Sequence, residues 1–258
     1  MTIQYLSDLH LEYADNEAWL RKRQIRAAGD VLVAAGDMFY LDDSSLGSNF
    51  FCKWAADNFE QVLIVPGNHE YYGGCDVMGA GHSWQYKIKS NVGYYQNNTV
   101  RIGDTDFILS TLWSYIPPDR QSITEFFLND FHRIRYRGRL LTPEDFNREH
   151  VRCKAYIRRA VAGSTARRRV VVTHHVPTRL CSPRKFTLIR GGRLESAFVT
   201  DMTHYISGAP IDCWIYGHSH SSIDAVIGGT KVVSNQLGYV GREENKYSGF
   251  EPVKTITI

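Results

Sequence analysis

Five short apolar runs of strand length each end in a turn carrying Asp, Asn or His. Thr2–Leu6 leads into Ser7-Asp8-Leu9-His10, and Val31–Ala35 into Gly36-Asp37. Val62–Val65 leads into Pro66-Gly67-Asn68-His69-Glu70, Val170–Thr173 into His174-His175, and Cys213–Tyr216 into Gly217-His218-Ser219-His220. Three of these runs, Val31–Ala35, Val62–Val65 and Val170–Val172, are unbroken in apolar residues, the mark of strands covered on both faces. In open α/β sheets, sites gather outside the carboxyl ends of the strands, so the five turns are expected to converge on one edge.

Further strands are expected over Phe107–Leu112 and Lys254–Ile258, with hairpin turns near Gly103-Asp104 and at Gly228-Gly229. Helices are expected over Glu17–Ala28, Phe50–Phe59 and Thr142–Ala162. In the last, Thr142 serves as N-cap, Pro143 suits the first helical position and Glu144-Asp145 favour the positive helix end. The least regular stretches are Gly73–Ser83 and Pro117–Leu141, each a candidate rim or lid. No repeat, low-complexity tract or linker divides the chain, and residues 1–258 read as one α/β domain.

A net charge of +3 gives no reason by itself to expect a nucleic-acid or membrane partner. The five scattered cysteines form no Cys-x-x-Cys pair, which fits a reduced, cytoplasmic compartment. Neither a signal peptide nor an apolar stretch long enough to span a bilayer is expected.

The chemistry offered at the strand ends is metal chemistry. Carboxylate, amide oxygen and imidazole suit Mn, Fe, Co, Ni or Zn, and no thiolate is present among them. Asp8 and His10 are spaced to point the same way, as are His218 and His220. Asp37 has two oxygens and could bridge two ions, the usual device for displacement at phosphorus. Alone, each motif is a common polar turn; their order, each at the end of an expected strand, is what carries weight.

The set Asp8-Leu9-His10, Gly36-Asp37, Gly67-Asn68-His69-Glu70, His174 and Gly217-His218-Ser219-His220 resembles the calcineurin-like metallophosphoesterase superfamily, over residues 8 to 220. The resemblance implies a four-layer α/β/β/α sandwich with two central mixed sheets and a dinuclear metal site at the strand ends. It implies one ion held by Asp8, His10, Asp37 and His220, and a second held by Asp37, Asn68, His174 and His218. His69 would be the catalytic acid rather than a ligand. Leu128-Asn129-Asp130-Phe131 and Ser234-Asn235-Gln236-Leu237-Gly238-Tyr239 look like those of small, compact bacterial and phage-type members. One departure is that Gly36-Asp37 is followed by Met38-Phe39-Tyr40, without a further early acid.

The expected activity is hydrolysis of phosphate esters, leaning to diesters of a small or nucleotide-like substrate. A hydroxide bridging the metals would attack, with His69 as general acid. The alternatives are a DNA or RNA nuclease, a phosphomonoesterase or protein phosphatase, and a non-catalytic metal-binding scaffold. The presence of His69 and of every ligand position counts against the scaffold. His175, Arg133 and Tyr71 are candidate substrate contacts; Arg167-Arg168-Arg169 reads as a solvated strand end.

Overall fold

The computed structural model describes residues 1–23 and 25–258. The chain opens with β1 (Thr2–Leu6), α1 (Ala14–Arg23), β2 (Val31–Ala34), α2 (Phe50–Asn58) and β3 (Gln61–Ile64). Two hairpins follow, β4 (Trp84–Lys89) with β5 (Val92–Gln96) and β6 (Asn98–Ile102) with β7 (Thr105–Ser110). Next come α3 (Pro118–Phe127), α4 (Asp130–Arg133), a small hairpin of β8 (Arg135–Tyr136) and β9 (Arg139–Leu140), and α5 (Pro143–Gly163). The chain continues through β10 (Arg168–Thr173), α6 (Arg184–Leu188), α7 (Thr203–Gly208), β11 (Cys213–Tyr216), β12 (Ala225–Ile227), β13 (Thr230–Ser234) and β14 (Thr255–Thr257).

Two six-stranded mixed sheets result, in the orders β14-β1-β2-β3-β5-β4 and β12-β13-β11-β10-β7-β6. Strands β1, β2, β3 and β5 run parallel in the first; β7, β10, β11 and β13 run parallel in the second. The unbroken apolar runs are explained by two-sided burial. Val31, Val33, Leu63 and Val65 join Phe107, Leu109, Val170, Val172, Cys213 and Ile215 in one core between the sheets. The alternate residues face outward: Leu32, Ala34, Val62 and Ile64 meet the α1–α2 layer, and Val171, Trp214 and Tyr216 meet the α5 and α7 side. This is the four-layer sandwich.

Several boundaries differ from expectation, each for a physical reason. Helix α1 is described over Ala14–Arg23, starting earlier than expected; Gln24, within the expected Glu17–Ala28, lies outside the described residues, and residues 25–28 are not helical. Buried Gln4 captures the backbone beyond it, donating to the Arg26 carbonyl and accepting from Ala28 N–H. Strand β7 stops at Ser110 rather than Leu112, because Leu112 takes φ +49° and Thr111 bonds to Pro66 and Gln96. The segment 117–141 is not irregular: it folds into α3, α4 and the β8–β9 hairpin. Only Thr124 of α3 is buried, so no apolar stripe announced that helix. Thr142 caps α5 in a capping box with Asp145. The described cysteines are all free. No helix among the described residues is long and apolar enough to cross a membrane.

Candidate metal centre

The parallel strands of both sheets deliver their carboxyl ends to one place. β1, β2 and β3 bring Asp8, His10, Asp37 and Asn68; β10 and β11 bring His174, His218 and His220. The turns are conformationally costly. Asp8, His10, Asp37, His218 and His220 all have φ between +47° and +74°, a region side-chain-bearing residues rarely occupy. Glycine allows the approach. A Cβ on Gly67 would lie 2.2 Å from Asp37 Oδ1, and one on Gly36, at φ +89°, would lie 2.4 Å from His174 Nδ1. Buried Glu70 ties the β2 and β3 turns together, accepting from the N–H groups of Asp37, Met38 and Gly67.

Donor atoms of Asp8, His10, Asp37 and His220 lie within 4.8 Å of one another, and so do those of Asp37, His174 and His218. Hydrogen bonds behind the imidazoles show which way their lone pairs face. Glu12 Oε1 lies 3.1 Å from His10 Nδ1, and Glu244 Oε2 lies 2.5 Å from His220 Nδ1. Both carboxylates are acceptors, so each Nδ1 carries a proton and each Nε2 is the nitrogen left to meet a cation or a second proton. Those two Nε2 atoms face each other at 3.0 Å. Likewise His174 Nδ1 donates to the Ala35 carbonyl, leaving Nε2 directed at Asn68 Oδ1 at 3.0 Å and Asp37 Oδ1 at 3.3 Å. The Asn68 amide is oriented by donating Nδ2 to Tyr72 and Asp130. His218 Nε2 is buried with no hydrogen-bond partner among the described residues. Acceptors gathered against acceptors, with one buried nitrogen unsatisfied, fit a pair of cations.

The electrostatics show the same demand for positive charge between these acceptors, met by protons on two of the imidazoles. Burial would raise the Asp37 carboxyl, yet His174, His69 and His10 hold it well below the usual carboxylate range. Burial opposes the charged form of His174, but Asp37 outweighs it and lifts this imidazole to about 9. His220 is lifted to about 9 against burial by Asp8 and Glu244. His218 is driven down by burial together with His175 and His174, the condition of a neutral ligand.

His69 sits at the edge of this cluster. Its Nδ1 donates to Glu12 Oε1 at 2.8 Å, its Nε2 lies 2.9 Å from Tyr239 Oη, and its backbone N–H donates to Asp37. Burial opposes protonation of His69, while Asp37 and Glu12 raise its pKa overall. A pocket of about 350 Å³ opens above, with Asp37, Asn68, His69, His218 and His220 at its floor. Phe127, Leu128, Phe186, Leu194 and Phe198 give it an apolar wall; Lys185 and Arg242 supply its cations.

The three candidate substrate contacts do not line that pocket. Tyr71 is 2% exposed and packs against Trp113 in a core; its neighbour Tyr72 takes the wall, its ring centroid 4.2 Å from that of His69 at a tilt of 31°. His175 is fully buried against His218, Trp113 and Phe146. Arg133 lies over the rings of Tyr72 and Tyr40. Four working groups were missed. Glu12 had a signal, since Asp8-x-His10-x-Glu12 continues the spacing that unites Asp8 and His10. Asp130 and Tyr239 lay inside the family-like Leu128–Phe131 and Ser234–Tyr239 motifs, which gave no role to either, and Glu244 had no signal.

Fold and site together define a metal-dependent phosphoesterase. Residues 1–222 match the family described as calcineurin-like phosphoesterase, and the chain belongs to that family. The Acanthamoeba polyphaga mimivirus protein named "Uncharacterized protein L509" is 27% identical, over 96% of this chain and 94% of its own length. The crystal structure of the phosphopantetheinyl hydrolase PptH from Mycobacterium tuberculosis shares the fold, with TM-score 0.67 at 17% identity, covering 99% of this chain and 95% of that one.

Proposed function

We propose that this phosphoesterase hydrolyses diesters of a small, nucleotide-sized substrate. The observation that carries the reading is the charge balance of the pocket. Asp8, Glu12, Asp37 and Glu244 supply four carboxylates around the cluster, enough to balance two divalent ions, and Glu70 behind them is pushed up to about 7 by burial and Asp37, so it adds at most part of a fifth charge. The remaining wall charges, Lys185 and Arg242 against Asp130 and Glu195, cancel. Such a site favours a singly charged diester over a dianionic monoester. The apolar wall would hold one of the two ester groups.

Asp8, His10, Asp37 and His220 would hold one ion, and Asp37, Asn68, His174 and His218 the other, with Asp37 shared. Ions bound there polarise phosphoryl oxygens and activate water for attack on phosphorus. Their imidazole, amide and carboxylate donors suit Mn, Fe, Co, Ni or Zn. Glu12 holds the His69 ring so that Nε2 faces the pocket, and His69 supplies a proton toward the leaving oxygen.

The decisive experiment compares p-nitrophenyl phosphate with bis-p-nitrophenyl phosphate on stripped protein reloaded with Mn, Ni, Fe, Zn or Mg. The diester should be cleaved faster; faster monoester cleavage would overturn the reading. A second reading, a nuclease, is favoured by a neighbouring cleft of about 840 Å³ that shares the Glu195 wall. Arg120, Lys154, Arg158, Arg179 and Arg193 line it, against Asp119, Glu195 and Asp201. Cleavage of single-stranded oligonucleotide that is lost in Lys154→Glu/Arg158→Glu, while the aryl diester is still turned over, would establish it.

A further inference from the structure

Tyr239 is more tightly held than a pocket-wall residue needs to be. Its ring lies 4.5 Å from that of His10, meets the His220 ring edge-on at 4.7 Å, and is covered by the Arg242 guanidinium at 4.9 Å. Its backbone N–H donates to the Glu244 carboxylate that orients His220. Clamped in this way, the ring directs its hydroxyl to one place, 2.9 Å from His69 Nε2. On the far side of that imidazole, Nδ1 is committed to Glu12. Glu12, His69 and Tyr239 therefore form a continuous hydrogen-bonded row that begins on a carboxylate whose side chain is 4% exposed and ends on a phenol lining the pocket.

The row has a chemical consequence. With a proton on Nε2, His69 donates to the Tyr239 oxygen, and the phenolic hydrogen turns toward the pocket. A tyrosine hydroxyl both accepts and donates, so it can pass a proton without net change in itself.

We propose that Tyr239 is a further catalytic residue, the group that touches the leaving oxygen and relays to it the proton held by His69. This rests on the phosphodiesterase reading above. As the attacking oxygen bonds to phosphorus, the bond to the leaving oxygen breaks and its electron pair stays on that oxygen. The leaving oxygen takes the phenolic proton, and the Tyr239 oxygen takes the proton from His69 Nε2. His69 ends neutral with Nδ1–H still on Glu12, and solvent restores its second proton. Tyr239 ends as it began.

A proton relay matters most where the leaving group is most basic. The test uses metal-loaded wild type, Tyr239→Phe, His69→Asn and the double variant on a series of aryl methyl phosphodiesters, from p-nitrophenol to unsubstituted phenol as leaving group. Tyr239→Phe keeps the ring and its packing, and metal content is measured alongside. The expected loss is roughly threefold for the p-nitrophenyl ester, growing to roughly a hundredfold for the phenyl ester. The double variant should lose no more than the worse single variant, because both changes cut one path. An equal loss along the whole series would make Tyr239 a structural or phosphoryl-binding group and overturn the relay. Full activity of Tyr239→Phe on the phenyl ester would overturn it too. A wild type inert toward every ester would overturn the phosphodiesterase reading and the relay together; an active wild type with a flat variant-to-wild-type ratio would overturn the relay alone.

Discussion

Glu12 accepts a hydrogen bond from His69 Nδ1 at 2.8 Å with the same oxygen that takes His10 Nδ1 at 3.1 Å. One carboxylate thus sets the tautomer of a candidate metal ligand and of the candidate acid. Burial would raise the Glu12 carboxyl, but the hydrogen bonds from His10 and His69 hold it below the usual range.

Glu12→Gln should therefore lower turnover by about 10–100-fold and weaken metal binding by a similar factor, the usual scale for groups behind metal-bound histidines. Steady-state rates and metal titration on the same preparation check this. A variant with wild-type rate and affinity would show that Glu12 merely fills space.

Gly67→Ala should abolish ordered assembly of the site, since the new Cβ would lie 2.2 Å from Asp37 Oδ1. Metal affinity is expected to fall at least tenfold, by roughly 1.4 kcal/mol or more. Gly163→Ala, at the end of α5 with nothing within 4 Å of its Cβ, is the control and should gain a few tenths to about 1 kcal/mol in stability. Calorimetric titration and denaturant melts separate the two outcomes. Equal metal affinity in Gly67→Ala and wild type would contradict the close approach.

Metal loading should raise the melting temperature. At a hundredfold excess over Kd the gain is about 2.7 kcal/mol, or roughly 5–10 °C for a chain of this size. His218→Ala removes an unsatisfied buried nitrogen, so the stripped variant should melt no lower than a typical core truncation while losing most of the metal-induced increase. Scanning calorimetry with and without Mn tests it. A full metal shift in His218→Ala would remove this residue from the ligand set.

His150 gives the stripped protein an acid sensitivity of its own. Burial pushes its imidazole down to about 4, despite a hydrogen bond to the Trp113 carbonyl. The folded imidazole resists a proton that the unfolded one accepts near 6.5, so the unfolded state holds the extra proton between those values. Stability from this group is complete above pH 6.5 and declines toward pH 4, by a total on the order of 3 kcal/mol. Urea midpoints at pH 7 and pH 5 should diverge more for wild type than for His150→Gln. An identical pH slope in the two proteins would sink the assignment.

The parallel strands and their functional turns were legible because two-sided burial writes itself as unbroken apolar runs, and because each run of that kind ends where a site can form. Thr142 announced α5 through local capping chemistry. The 117–141 segment was not legible, since α3 buries only Thr124 and gains its place from contacts rather than periodicity. The positions that converge on the cluster were readable from spacing and from the family resemblance. The groups behind them were not: Glu244 meets His220 from 24 residues away, and Asp130 reaches Asn68 from 62. Such partners depend on how loops fold back, which spacing does not encode. Tyr71 and Tyr72 were indistinguishable in sequence; as adjacent residues at the end of one tight helical turn they point in different directions, and only the second reaches the pocket.

The site is divided between the two sheets, with Asp8, His10, Asp37 and Asn68 on one and His174, His218 and His220 on the other. Any distortion within one sheet moves its donors as a group. Sliding of one sheet over the other changes the distances between the halves. The apolar layer of Val33, Leu63, Phe107, Val172 and Ile215 thus acts as the spacer that gauges the metal centre. A methylene added or removed in that layer, far from any ligand, would retune which ion fits before it unfolded the protein.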